Sequence, residues 1–89
     1  MATMIRVRLF ASLREAAGTA ELTLPADHPV TAREVFDLVA SQRPGIAPLR
    51  PVTLVAVNDE FANWDTPVSP DGDEVALFPP VSGGATWST

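Results

Sequence analysis

Two reactive side chains are missing from this sequence altogether. None of its 89 residues is cysteine, which excludes disulfides, thiolate metal sites and any thiol or persulfide carried on a side chain. Lysine is absent too. The six cations are Arg6, Arg8, Arg14, Arg33, Arg43 and Arg50, set against 11 carboxylates for a net charge of -5. That balance offers no basic surface for phosphate backbones, so nucleic acid is not an expected partner, whereas a basic protein surface would be drawn to it. The one histidine, His28, lies in a proline-flanked loop without clustered ligands, and no metal site is expected there. No run approaches the roughly 18 to 20 apolar residues of a membrane span. No charged stretch leads into an apolar one either, so a soluble, cytoplasmic chain without a membrane partner is expected.

With 46% hydrophobic and 19% charged residues, the chain has the composition of one small folded domain. A domain of this size buries only a little over about 60% of its unfolded surface, which leaves little room for a buried multi-residue active site. The usual catalytic arrangements are indeed poorly represented. Ser82 has no base near it in sequence, and Asp71, Asp73 and Glu74 crowd a turn without the spacing of a calcium loop.

The pattern of apolar residues predicts a mixed α+β fold. Ile5, Val7 and Leu9 alternate with Arg6 and Arg8 in a half-buried strand over Met4 to Phe10. Ser12 to Ala17 reads as a short helical turn with Ser12 as its cap and Gly18 as its stop. Ala20, Leu22 and Leu24 form a second strand, antiparallel to the first and stopped by Pro25. Thr31 and Glu34 match a capping box in front of Ala32, Val35, Phe36 and Val39, so the main helix starts there and ends near Arg43, before Pro44-Gly45. Val52 to Val57 reads as a strand buried on both sides. Asn58-Asp59-Glu60 turns the chain, a weakly specified stretch carries Phe61 and Trp64, and Ser69-Pro70-Asp71-Gly72-Asp73 is a second turn. Glu74 to Phe78 is the last strand, with Val75 and Leu77 on one face, and Pro79-Pro80 ends its pairing. This order puts one main helix across one face of a small mixed sheet, a β-grasp or ubiquitin-like architecture, over residues 1–81. Residues 82–89 form a flexible tail.

That tail holds the remaining candidates. Pro79 and Pro80 stiffen the exit from the last strand, while Gly83 and Gly84 lack Cβ atoms and suit a narrow passage, with Ser82 ahead of them. From Pro80 to Gly84 an extended chain reaches about 17 Å, enough to carry a terminal carboxyl group into a partner's active site. On the dipeptide alone, a plain floppy end is the commoner explanation. Alternation also turns Phe78 away from Val75 and Leu77, beside Pro79, Pro80 and Val81. An exposed apolar patch for a partner is therefore expected, with cover by the Trp64 region as the alternative.

Three blocks carry a family resemblance: Leu9-Phe10-Ala11-Ser12-Leu13-Arg14-Glu15, Ala56-Val57-Asn58-Asp59-Glu60, and the stretch from Gly72 through Phe78-Pro79-Pro80-Val81-Ser82 to Gly83-Gly84. Over about Met4 to Gly84 the chain resembles the MoaD/ThiS group of ubiquitin-like sulfur carriers, and within it the small subunits of molybdopterin synthases. The resemblance implies chemistry at the carboxyl group of Gly84. An E1-like adenylating enzyme would use ATP and magnesium to make an acyl-adenylate, and a sulfur donor would convert it to a thiocarboxylate. The tail would then enter the large subunit of molybdopterin synthase, which supplies the catalytic side chains. The chain itself would be no enzyme alone and would bind no cofactor.

One feature departs from the family pattern. Ala85-Thr86-Trp87-Ser88-Thr89 follow Gly84, and an internal glycine has no free carboxyl group to adenylate. Trimming by a peptidase, an origin of these residues in cloning or in a truncated fusion, and loss of charging are the three explanations. Other sulfur acceptors, in cysteine, thiamine or tRNA thiolation, and a noncovalent ubiquitin-like module remain as alternative functions.

Overall fold

The computed structural model describes residues 3–80 of the chain. Strand β1 (Met4–Leu9) alternates exposed and buried positions along its whole length, with Ile5, Val7 and Leu9 facing inward. Helix α1 (Ser12–Ala17) follows, but Ser12 does not cap it. The N-cap is Ala11, at φ 53 and ψ -124, with no side-chain hydrogen bond. The N–H groups of Leu13 and Arg14 instead donate to Phe10 O at 3.0 and 3.4 Å, so the backbone itself satisfies the first turn and leaves the Ser12 hydroxyl no role there. Gly18, at φ 78, closes the helix through its N–H to Arg14 O, the left-handed cap that glycine adopts without a steric penalty.

Strand β2 (Glu21–Pro25) runs antiparallel to β1, with Val7 opposite Leu22. After the two-residue strand β3 (Val30–Thr31), helix α2 (Ala32–Gln42) opens on the expected capping box. Glu34 N–H donates to Thr31 Oγ1 at 3.2 Å and Thr31 N–H donates to Glu34 Oε1 at 2.8 Å. Ala32, Val35, Phe36 and Val39 form the buried stripe of this helix, which is the spacing that lays one helical face on a sheet.

The segment after α2 differs from the sequence reading. Pro44–Val52 winds as 3₁₀ turns and contains Pro48 and Pro51, and strand β4 is only Leu54–Val57. Val52 is 50% exposed and Leu54 is 40% exposed, whereas Val55 is buried. The run is therefore not buried on both sides. The prolines keep its first residues out of the sheet ladder, and the helix covers only one face of the strand that follows.

Strands β5 (Glu60–Ala62), β6 (Pro67–Val68) and β7 (Asp71–Phe78) complete the fold. The main sheet has the order β2-β1-β7-β4-β5, and β3 pairs with β6 in a separate two-stranded ribbon. Only the β1–β7 pair is parallel. This is the α+β β-grasp expected from the sequence, with α2 and the 3₁₀ segment on the inner face. Ile5, Val7, Leu24, Phe36, Ile46, Val75 and Leu77 are among the fully buried residues of the core.

Gly45 lets the 3₁₀ segment lie against α1, because a Cβ there would sit 2.6 Å from the Ala16 carbonyl oxygen. The obstacle is backbone, so it cannot swing aside. Gly45→Ala is expected to destabilise the domain by about 1–3 kcal/mol. Urea unfolding with an unchanged slope checks this, and a variant as stable as the parent would contradict so close an approach.

Candidate functional site

The sheet has a second face, opposite the helix. Alternation brings Arg6 and Arg8 of β1, Glu74, Ala76 and Phe78 of β7, Leu54 and Ala56 of β4, and Phe61 of β5 to this outer face. Leu54 stands opposite Phe78, and Ala56 stands between Ala76 and Phe61. Phe61 is 82% exposed, the largest value among the exposed large hydrophobics. Its ring meets Phe78 edge-on with centroids 5.8 Å apart. Phe78, Leu54 and Phe61 thus make an aromatic and aliphatic patch at the end of β7 from which the tail departs. Exposed patches of this kind mark partner surfaces.

Phe78 itself departs from expectation. It does point away from Val75 and Leu77, but it is buried, at 7% exposure, with Leu54 opposite it and the Phe61 ring against it. Trp64 does not cover it, since that ring packs on Phe36 in a T-shaped contact with centroids 5.7 Å apart. Pro79 is half-buried and Pro80 is exposed. Val81, Ser82, Gly83 and Gly84 lie outside the described residues. The most exposed member of the patch is therefore Phe61, which lies in the stretch that the sequence specifies only weakly. The signal was present in Asn58-Asp59. A two-residue turn there fixes the register Ala56 to Phe61 and hence the face on which Phe61 stands.

Asn58 and Asp59 take φ 53 and φ 69, the left-handed pair that joins two twisted antiparallel strands. Asn58 also ties this hairpin to the central strand. Its side-chain oxygen accepts from Glu74 N–H at 3.0 Å, its Nδ2 donates to Asp73 Oδ1 at 3.0 Å, and its own N–H donates to Glu74 O at 2.8 Å. Asp73 Oδ2 in turn accepts from Ser69 N–H at 2.8 Å. These bonds hold the Asp73 carboxyl below its usual value, the Ser69 N–H first and the Asn58 amide second. So of the three crowded acidic residues, which the structure places at the start of β7, Asp73 ties the hairpin down through its carboxylate and Glu74 through its backbone. No group of three or more metal-ligating side chains occurs among the described residues. His28 is exposed and sits 2.6 Å from Asp27, whose carboxyl it lowers.

A mixed five-stranded sheet with one main helix on its inner face makes this chain a ubiquitin-like β-grasp protein, and in its sequence Gly83-Gly84 follow four residues after the central strand. The chain belongs to the ThiS family, whose profile matches residues 7–84 and so ends at Gly84. Over 82 residues it is 43% identical to the molybdopterin synthase sulfur carrier subunit of Escherichia coli (strain K12), covering 91% of this chain and 100% of that protein. Among solved structures, SAMP1 of Haloferax volcanii superposes with a TM-score of 0.80 at 30% identity, over 91% of this chain and 99% of that one. One chain in the complex of subunits 1 and 2 of the molybdopterin-converting factor of Helicobacter pylori 26695 gives a TM-score of 0.64 at 28% identity, covering 91% of this chain and 99% of that one.

The Asp73 network has a pH signature. Because folding depresses the Asp73 carboxyl, its contribution to stability is full above the ordinary carboxylate range and is lost as pH falls through the folded value. Asp73→Asn should therefore lower Tm at neutral pH, and the gap to the parent should narrow as pH falls below about 4. A difference in Tm that stays constant across that range would refute this role.

Proposed function

We propose that this chain is the sulfur-carrier small subunit of a molybdopterin synthase, working in molybdenum cofactor biosynthesis through a thiocarboxylate at Gly84. The observation that carries this reading is the family match running to Gly84 on a chain 43% identical to a sulfur carrier subunit. The fold suits the task. A rigid sheet presents an apolar patch beside the point where the chain leaves β7, so docking and delivery of the tail occur on one side of the molecule.

The chemistry proceeds at the carboxyl group. A carboxylate is a poor electrophile at neutral pH, so an E1-like partner spends ATP with magnesium to form the acyl-adenylate and release pyrophosphate. A sulfur donor then displaces AMP and leaves the thiocarboxylate. Ser82, Gly83 and Gly84 thread into the large subunit, where the small glycines pass a narrow channel and the sulfur attacks a pyranopterin precursor. The large subunit supplies the acids and bases, and this chain supplies the nucleophile and the docking face. Phe61, Leu54 and Phe78, with Pro79 and Pro80, form that face, and the sequence adds Val81 as a further candidate contact with the partner. The setting is cytoplasmic. No helix among the described residues is long and apolar enough to cross a membrane. Charging requires removal of Ala85–Thr89 first, by a peptidase.

The likeness to SAMP1 favours a second use of the same group, transfer of the Gly84 acyl group to an amine of a client protein. The two uses leave different products.

Incubation with a trimming peptidase, the adenylating enzyme, ATP, magnesium and a sulfur donor should give an intact mass that has lost residues 85–89 and gained sulfur in place of one oxygen. A mass shift that appears on a client lysine instead supports the modifier use, and an unaltered chain under conditions that charge a related carrier argues against both. Phe61→Ala should weaken binding to the large subunit by about 1–3 kcal/mol, with the fold intact because the ring is exposed. Calorimetric titration checks this, and unchanged affinity would remove Phe61 from the docking face.

A further inference from the structure

One row of the outer face crosses four strands in register. Arg8 on β1 faces Ala76 on β7, Ala76 faces Ala56 on β4, and Ala56 faces Phe61 on β5. With strands about 4.8 Å apart, the row places a cation, two methyl groups and an exposed aromatic ring within about 15 Å. The alanines make a low floor. A partner that covers Phe61 and Ala56 closely therefore also comes down over the neighbourhood of Arg8.

Arg8 has no carboxylate of its own. Glu21 stands directly opposite it on β2, yet the Glu21 carboxylate lies 3.4 Å from Arg6 Nε instead. No ion pair involving Arg8 occurs among the described residues. Its guanidinium rests over the ring of Phe10, 5.4 Å from the centroid. Stacking of this kind holds the plane of the fork and leaves its N–H edge donors available. A guanidinium stays protonated at any physiological pH, so an interface that dries it without supplying an anion is strongly penalised.

We propose that Arg8 is a charge-matching residue of the docking face, and that the large synthase subunit sets a carboxylate beside the Ala76 and Ala56 floor to receive its fork. This rests on the sulfur-carrier reading above and adds the chemistry of the partner's surface to it. The pair speeds the arrival of the correct partner and rejects surfaces that bring a cation or a bare apolar side chain to the same spot.

The test measures association and dissociation of the full chain with the large subunit from the same organism, over a series of ionic strengths. Arg8→Glu is expected to slow association by about tenfold at low salt and to weaken Kd by at least that factor, with the association defect shrinking as salt rises. Arg8→Lys keeps the charge and so most of the association rate, but dissociates faster because it lacks the fork. Phe61→Ala acts mainly on dissociation and shows little salt dependence. A glutamate-to-lysine or aspartate-to-lysine change on the large subunit that restores Arg8→Glu would identify the matching carboxylate. If Phe61→Ala weakens the complex while Arg8→Glu binds like the parent at every ionic strength, the Arg8 inference is wrong and the docking face stands. If the parent does not bind the large subunit at all, the sulfur-carrier reading falls, and the inference with it.

Discussion

The parallel pairing of β1 with β7 is the constraint on which the rest of the molecule depends. It puts the last strand in the middle of the sheet, hydrogen-bonded to β1 on one side and to β4 on the other. Central strands with both edges paired open last, so β7 belongs to the best-protected part of the domain. Phe10 N–H extends the pairing by donating to Leu77 O at 3.1 Å. The point where the tail leaves is thereby fixed to within one residue. For a carrier that would act through Gly84, as proposed, a firm origin for the segment after β7 sets where that group can be delivered.

Parity along the strands divides this one sheet into two jobs. Val75 and Leu77 close the core, while Ala76 and Phe78, the residues between and after them, belong to the outer face. A slip of one residue in β7 would send Phe78 inward and Leu77 out. Two features oppose that slip. The register between β1 and β7 shifts between Met4 and Arg6, next to Gly72 at φ 110, where an extra residue is absorbed in a conformation glycine tolerates. The Asn58 side chain then clamps the hairpin to Asp73 and Glu74, which sets β4, β5 and β7 in one frame.

Much of this was legible in the residues. The alternation of Ile5, Val7 and Leu9, the Thr31 and Glu34 box and the glycine after α1 each have a local cause, and each formed as read. The failures share a different character. Val52 to Val57 has the composition of a strand buried on both sides, but composition does not reveal that prolines at 48 and 51 hold its start in 3₁₀ turns, nor that the sheet is covered on one face only. Alternation gives the face of Phe78 correctly, yet its neighbours there include Leu54 and Phe61, residues 24 and 17 positions away in sequence. Cross-strand neighbours at such distances are set by register, and register is the property a single sequence expresses least directly. Arg8 illustrates the same limit, because nothing in its local sequence says that Glu21 is already engaged with Arg6.

The two missing side chains take on a meaning once the Gly84 chemistry is considered. An acyl-adenylate reacts with thiols and amines before it reacts with hydroxyls or water, so under the proposed Gly84 chemistry a carrier's own side chains would compete with its partners. In a chain without cysteine or lysine, an activated Gly84 would meet no side-chain thiol or alkylamine of its own, which leaves the single exposed imidazole of His28 as the side-chain nitrogen nucleophile. Arginine retains the cation wherever a pair or a stack requires one, as with Asp65 at Arg33, Asp37 at Arg50 and the Phe10 ring at Arg8, while remaining protonated and therefore unreactive. On the proposed function the charged state would in this way be left to external partners, selected on the face beside the end of β7.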